Sequence, residues 1–172
     1  RRHRQVGRPN RRPTFSPKDF AAPSTEPAMP ATVVEADPIT FDKLGLDPAL
    51  LVGVQDRGFT ATTPIQSAVY PIVVAGRDII ASAETGSGKT GAYLLPVLNR
   101  MLQRPGPAAD ATTRLTTVLV LAPTRELVVQ IEDDLQGFTY HTALTGAAVF
   151  GGTPIGAQAQ ALSAGVDVVV AT

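Results

Sequence analysis

The chain has 172 residues, room for one domain with a buried core. Its 15 basic and 15 acidic side chains cancel, yet seven of the basic ones (Arg1, Arg2, Arg4, Arg8, Arg11, Arg12 and Lys18) lie within residues 1–18, which hold no acid, so the remainder carries a net charge of −7. The absence of cysteine excludes disulfides, cysteine-based zinc or iron–sulfur centres and thiol catalysis, and it fits a cytoplasmic protein.

Residues 1–38 read as a disordered, basic, proline-rich tail, interrupted by Pro9, Pro13, Pro17, Pro23, Pro27, Pro30 and Pro38. Two readings of its arginines stand side by side, a solvated tail and an electrostatic contact with nucleic-acid phosphates. No apolar core follows the basic run, so no secretory signal is expected. Leu135 to Val166 lacks Asp, Glu, Lys and Arg, but Gly146, Gly151, Gly152, Pro154, Gly156, Gln158 and Gln160 break it up, and no membrane span is expected. The chain begins on Arg1 and ends on V-D-V-V-V-A-T, so both ends read as cut.

Residues 39–172 form the ordered part, starting at Phe41 to Leu46. Asp47 followed by Pro48 predicts an N-cap and first helical residue, with Leu50, Leu51 and Val54 on one face and Gly58 as the stop. Thr63 and Pro64 repeat that start. Ile65, Ala68, Val69 and Ile72 give the second helix its apolar face, Pro71 strains its middle and Gly76 closes it.

An apolar run, Asp78 to Ser82, then predicts a strand leading into A-E-T-G-S-G-K-T, Ala83 to Thr90, which opens a helix that runs to about Gln103 with a kink at Pro96. Strand, glycine-rich turn and helix make up the setting of a phosphate-binding loop. Gly86 and Gly88 let the backbone turn sharply and come close to a ligand. The N–H groups of Glu84, Thr85, Gly86, Ser87 and Gly88 and the positive end of the helix suit a polyphosphate, Lys89 would reach its outer phosphates and the Thr90 hydroxyl would hold Mg²⁺. The alternative is an ordinary Gly/Ser/Thr turn.

Residues 104–113 read as a surface loop. Thr117 to Ala122 predicts a strand buried on both faces of a parallel sheet. Thr124 caps a helix carrying Leu127, Val128, Ile131 and Leu135. Ala147 to Phe150 is a third strand, Thr153-Pro154 starts another helix, and Val166 to Ala171 is a fourth strand. Alternation of this kind predicts an α/β fold, a mostly parallel sheet with helices on both faces and ligands at the carboxyl ends of its strands.

Two further strand-to-helix turns lie at those ends. Pro123, Thr124 and Arg125 could hold a phosphate, or Arg125 could pair with Glu126 or Asp133 instead; Gly151, Gly152 and Thr153 make a second anion site or a plain turn. Together they point to an extended polyanion beside the nucleotide. His3 and His141 lack metal-like spacing, Tyr70, Tyr93 and Tyr140 read as packing residues, and Glu132-Asp133-Asp134 as the solvated side of a helix.

From Phe41 to Thr172 these motifs closely resemble the first RecA-like domain of the DEAD-box RNA helicases. Gly58 to Gln66, G-F-T-A-T-T-P-I-Q, resembles the Q motif, with Thr62 in place of the more usual proline and Phe41 as the isolated upstream aromatic. Ala83 to Thr90 resembles motif I, with Glu84 where glutamine is common. P-T-R-E-L at 123–127 resembles motif Ia, Gly151-Gly152 the GG motif, and Ala171-Thr172 the start of T-P-G-R. The resemblance implies that Gln66 bonds the adenine edge, that Phe59 stacks on the base, and that Pro123, Thr124, Arg125, Gly151, Gly152, Thr153 and Thr172 hold an RNA backbone without reading its sequence. It implies ATP and Mg²⁺ as cofactors, RNA and a second RecA-like domain of the same chain as partners, a monomer, and ATP hydrolysis driving local duplex unwinding. D-E-A-D and S-A-T do not occur in the sequence, so the RecA-like sheet is expected to be incomplete, with Ile79-Ile80 and Val118 to Leu121 uncovered, and this piece alone is expected to be inactive. Alternative readings are a non-catalytic nucleotide- or RNA-binding module and another P-loop NTPase such as a DNA helicase.

Overall fold

The computed structural model of the protein describes residues 36–104 and 115–172. The basic tail over residues 1–35 and most of the loop at 104–113 lie outside the described residues. A 3₁₀ turn at Phe41–Leu44 leads to helix α1, Pro48–Asp56, and helix α2, Pro64–Val74. Helix α3, Lys89–Gln103, precedes strand β1, Val118–Leu121, and helix α4, Arg125–Thr139. Strand β2, Gly146–Val149, helix α5, Ile155–Ala164, and strand β3, Val168–Ala171, complete the order.

Local chemistry explains the helix starts. The Asp47 carboxylate accepts the Ala49 N–H at 2.9 Å, and Pro48 occupies the first helical position. Pro64 likewise opens α2, where the Gln66 side chain accepts the N–H of the cap residue Thr63, and the helix continues through Pro71. The Thr124 hydroxyl accepts the Leu127 N–H at 3.2 Å and starts α4. The expected start at Thr153-Pro154 is one residue early. Pro154 is itself the cap of α5, and Thr153 belongs to the turn before it.

The three strands are parallel in the order β1-β3-β2, with Val118 and Val120 of β1 beside Val168 and Val170 of β3. One face of the sheet, Val168, Val170 and Ala148, meets Ile131 and Leu135 of α4 and, beyond them, Leu94 and Leu98 of α3 in one core. The opposite face, Ala147 and Val169, lies in a smaller cluster with Ala161 of α5. Burying one side chain the size of Leu50, Leu98 or Leu135 contributes about 1.5–3 kcal/mol. Helices α1 and α4 touch backbone to backbone: a Cβ on Gly53 would collide with the Phe138 carbonyl oxygen and come within 2.9 Å of that of Gly137.

Two expectations need correction. Residues 78–82 form no strand, because a strand exists through its ladder and they have no hydrogen-bonded neighbour among the described residues. Strand β1 is buried on one face only. Leu119 and Leu121 share the face of Val169 and Ala171, but they are 62% and 70% exposed. The uncovered apolar positions expected for an incomplete sheet are therefore seen at these leucines and at the fully exposed Ile80.

One buried polar residue ties the helices to the incoming chain. Asn99 of α3 is 1% exposed; its Oδ1 accepts the Asp47 N–H at 2.7 Å, and its Nδ2 donates to the Tyr70 hydroxyl at 2.9 Å and to the Gly45 carbonyl at 3.4 Å. Burial raises the Tyr70 phenol above its ordinary pKa, and the bond from Asn99 partly offsets this.

Candidate nucleotide and nucleic-acid site

The loop before α3 turns through Gly86 at φ 82° and Gly88 at φ 88°, left-handed conformations that glycine adopts without strain. Gly88 caps the helix, and Lys89 and Thr90 open it. The Lys89 ammonium folds back on its own loop, donating to the carbonyls of Ala83 and Glu84, each at 2.6 Å. Burial, and further the charge of Asp134, raises the Tyr93 phenol above its ordinary pKa, and the Thr90 hydroxyl opposes this. The buried hydroxyl oxygens of Ser87 and Thr63 have no hydrogen-bond partner. Unpartnered oxygens beside a left-handed glycine turn and an ammonium form a donor set suited to a polyphosphate with its metal.

Gln66 reaches this loop from α2. It is 5% exposed; its Oε1 accepts the Thr63 N–H at 3.0 Å, and its Nε2 donates to the Gly88 carbonyl at 3.1 Å. Both ends of the amide are engaged within the protein, each with further bonding capacity.

Phe59 is 38% exposed and packs on Phe41, with ring centroids 6.5 Å apart, and on Phe138, 5.9 Å apart. Phe41, Phe59, Thr40, Asp42, Gln55 and Thr60 line a shallow pocket of about 200 Å³. Thr62, where the Q motif usually has proline, clasps this region. Its hydroxyl accepts the Ile39 N–H at 2.9 Å and lies 2.6 Å from the Ser67 hydroxyl, while its own N–H donates to the Ile39 carbonyl at 2.8 Å. A proline there would offer neither the hydroxyl nor the N–H.

A second concavity, about 450 Å³, lies at the carboxyl ends of the strands and is lined by Pro123, Thr124, Arg125, Glu126, Gly151 and Thr172. Five of the sequence-derived candidates, Pro123, Thr124, Arg125, Gly151 and Thr172, thus come together here, and a sixth, Gly152, packs under the Arg125 guanidinium: a Cβ on it would lie 2.7 Å from Cζ. Arg125 makes no hydrogen bond or salt bridge with a described residue; Glu126 is fully exposed and its carboxyl is lowered chiefly by its own backbone N–H, then by the Thr124 hydroxyl. Asp133, one partner considered for Arg125, is taken by Arg57, which bridges Asp133 at 2.9 Å and Asp134 at 2.7 Å and lies over the Phe138 ring. The acidic run is therefore not merely solvated.

Sequence reasoning missed three residues. Arg57 and Asn99 are not singled out from the sequence at all. Gln158 reads only as polar, yet it bonds the backbone of Phe150 and the Thr153 hydroxyl. Tyr140, expected to pack, is 80% exposed, with its ring edge on His141, which pairs with Asp56 at 2.7 Å. No helix among the described residues is long and apolar enough to cross a membrane.

Known proteins share this arrangement. The chain is 43% identical to the ATP-dependent RNA helicase RhlB of Xanthomonas oryzae pv. oryzae (strain KACC10331 / KXO85) over 134 residues, 78% of this chain and 23% of that protein. It is also 43% identical to the ATP-dependent RNA helicase SrmB of Escherichia coli (strain K12) over 133 residues, 77% of this chain and 29% of that one. It therefore spans under a third of the length of these relatives. The crystal structure of a DEAD box protein from the hyperthermophile Methanococcus jannaschii superposes with a TM-score of 0.65 and 30% identity, covering 77% of this chain and 34% of that chain. The fold is accordingly a part of a RecA-like domain. With the DEAD/DEAH box helicase model matching residues 63–172, more than half of its length, the chain belongs to the DEAD/DEAH box helicase family.

Proposed function

We propose that the chain is the nucleotide- and RNA-binding part of an ATP-dependent RNA helicase. The observation that carries this reading is the loop at Ala83–Thr90, with its two left-handed glycines, the Lys89 ammonium folded back on it at the helix start and its brace from Gln66. ATP is held there, the Gln66 amide and the Phe59 ring meet the base, and the Phe41 segment backs them. Lys89 exchanges two loop carbonyls for phosphate oxygens, and Thr90 supplies a hydroxyl to Mg²⁺, which neutralises phosphate charge when bound. The RNA sugar–phosphate backbone lies on Pro123, Thr124, Arg125, Gly151, Gly152, Thr153 and Thr172. Contacts of that kind hold any sequence.

In the parent protein, a second RecA-like domain and the D-E-A-D carboxylates complete the hydrolytic site. Neither D-E-A-D nor S-A-T occurs in these 172 residues, so the chain alone binds without turning over. Titration with a fluorescent ATP and a fluorescent GTP tests the reading: ATP binds, and GTP binds more weakly. Equal binding of both removes the adenine-reading role and favours another P-loop NTPase. RNA-stimulated phosphate release above that of Lys89→Ala would overturn the expected inactivity.

A further inference from the structure

We propose that Gln158 is a positioning residue for the anion pocket, acting on Arg125 through the Gly151-Gly152 turn. The proposal rests on the RNA-backbone reading above. The observation behind it is independent of any motif. Gln158 projects from the first turn of α5, and its side chain bonds Phe150 as a neighbouring strand would. Its Oε1 accepts the Phe150 N–H at 2.9 Å, and its Nε2 donates to the Phe150 carbonyl at 3.0 Å. The same nitrogen donates to the Thr153 hydroxyl at 2.6 Å.

These three bonds do something specific to the backbone. Satisfied by a side chain, Phe150 pairs with no strand, and β2 stops at Val149. The chain is then held at both ends of a short turn, at Phe150 before the glycines and at Thr153 after them. Between these anchors Gly152 takes φ 86°, and its Cα faces the Arg125 guanidinium so closely that any Cβ would overlap it. The N–H groups of Gly151, Gly152 and Thr153 donate no hydrogen bond within the described residues and remain available to an anion. Arg125, with no bond to a described residue, takes its position from this packing. Gln158 itself does not line the pocket. It sets the shape of one wall and the seat of the pocket's guanidinium.

The test uses the 172-residue chain and a fluorescein-labelled uridine homopolymer, titrated across a range of KCl, with Gln158→Met, Gln158→Asn, Arg125→Ala and the Gln158→Met/Arg125→Ala double variant. Methionine keeps the length and loses the amide; asparagine keeps the amide and falls short. Each of the three single variants weakens RNA about tenfold, one phosphate contact, and lowers the salt slope by about 0.7. ATP binding stays unchanged. The double variant loses no more than Arg125→Ala alone, because the two residues act on one contact. A salt slope unchanged in Gln158→Met, or losses that add in the double variant, overturns the proposal. One readout needs no RNA: the Arg125 Nε–H resonance of the free chain moves in both Gln158 variants. If the native chain fails to bind the homopolymer, the RNA reading falls, and this resonance still decides the role of Gln158. An unmoved resonance ends it.

Discussion

The Nε2 of Gln66 donates to the carbonyl of Gly88, so helix α2 holds the residue that caps the phosphate-loop helix. This bond gives Gln66 two separable roles, bracing the loop and meeting a base. Gln66→Ala therefore weakens both ATP and GTP. The loss shared by the two nucleotides measures the brace, and the excess loss for ATP, about tenfold for one hydrogen bond, measures the base contact. Equal losses leave only the brace.

Lys89 bonds two carbonyls of an exposed loop and nothing in the core. Lys89→Ala should leave the unfolding free energy within about 0.5 kcal/mol of the native chain, as for most exposed substitutions. Binding of ATP should nevertheless be lost. Calorimetric titration and thermal melting read the two effects separately.

Asn99 sends both ends of its amide to groups that have no other partner at that place. Asn99→Leu strands the Asp47 N–H and the Tyr70 hydroxyl in the interior, so a loss of about 2 kcal/mol is expected in urea unfolding. Asn99→Asp keeps the acceptor and loses the donor, and should fall between the two.

Burial raises the Asp134 carboxyl above its ordinary value; Arg57 opposes this and Asp133 adds to it. The raised value means the folded chain favours the protonated form. Its contribution to stability is present below the ordinary carboxylate range and is lost as pH rises through the raised value. Arg57 limits that loss. Arg57→Ala should cost about 1–2 kcal/mol at neutral pH, between an exposed and a buried pair, and less in acid. An equal cost at both pH values would show that packing of Arg57 on Phe138 dominates.

Leu119 and Leu121 project from β1 where α5 does not reach. Changing both to lysine should leave urea unfolding within about 1 kcal/mol, the sum for two exposed positions, while lowering self-association measured by light scattering. A loss of several kcal/mol would mean that this face is covered in solution.

The caps and glycine turns of this chain were legible because they act within a few residues. Asp47-Pro48, Thr124 and Gly86 to Gly88 each state their structure locally. The α/β class followed from the spacing of apolar runs, and the phosphate loop from Gly86, Gly88, Lys89 and Thr90 between an apolar run and a helix. Long-range polar contacts were not legible. Nothing near Gln158 or Asn99 in sequence says that each will bond backbone eight or more residues away. The strand at 78–82 was misread for the converse reason: its apolar pattern is local, but a ladder needs a neighbour that these residues lack here.

Gly53 removes the cushion of side chains that normally separates two helices. At that crossing α1 bears directly on the carbonyls of Gly137 and Phe138, so the two helices form one rigid strut. The strut's α4 member has 15 residues, about 22 Å, with Arg125 at one end and, near the other, Phe138 against the Phe59 ring. With no side chain at that crossing to yield, a displacement of the aromatic end is expected to move α4 as one body, the guanidinium end with it. A single methyl group at position 53 would act as a shim beside the aromatic end, tilting that lever without touching the guanidinium end.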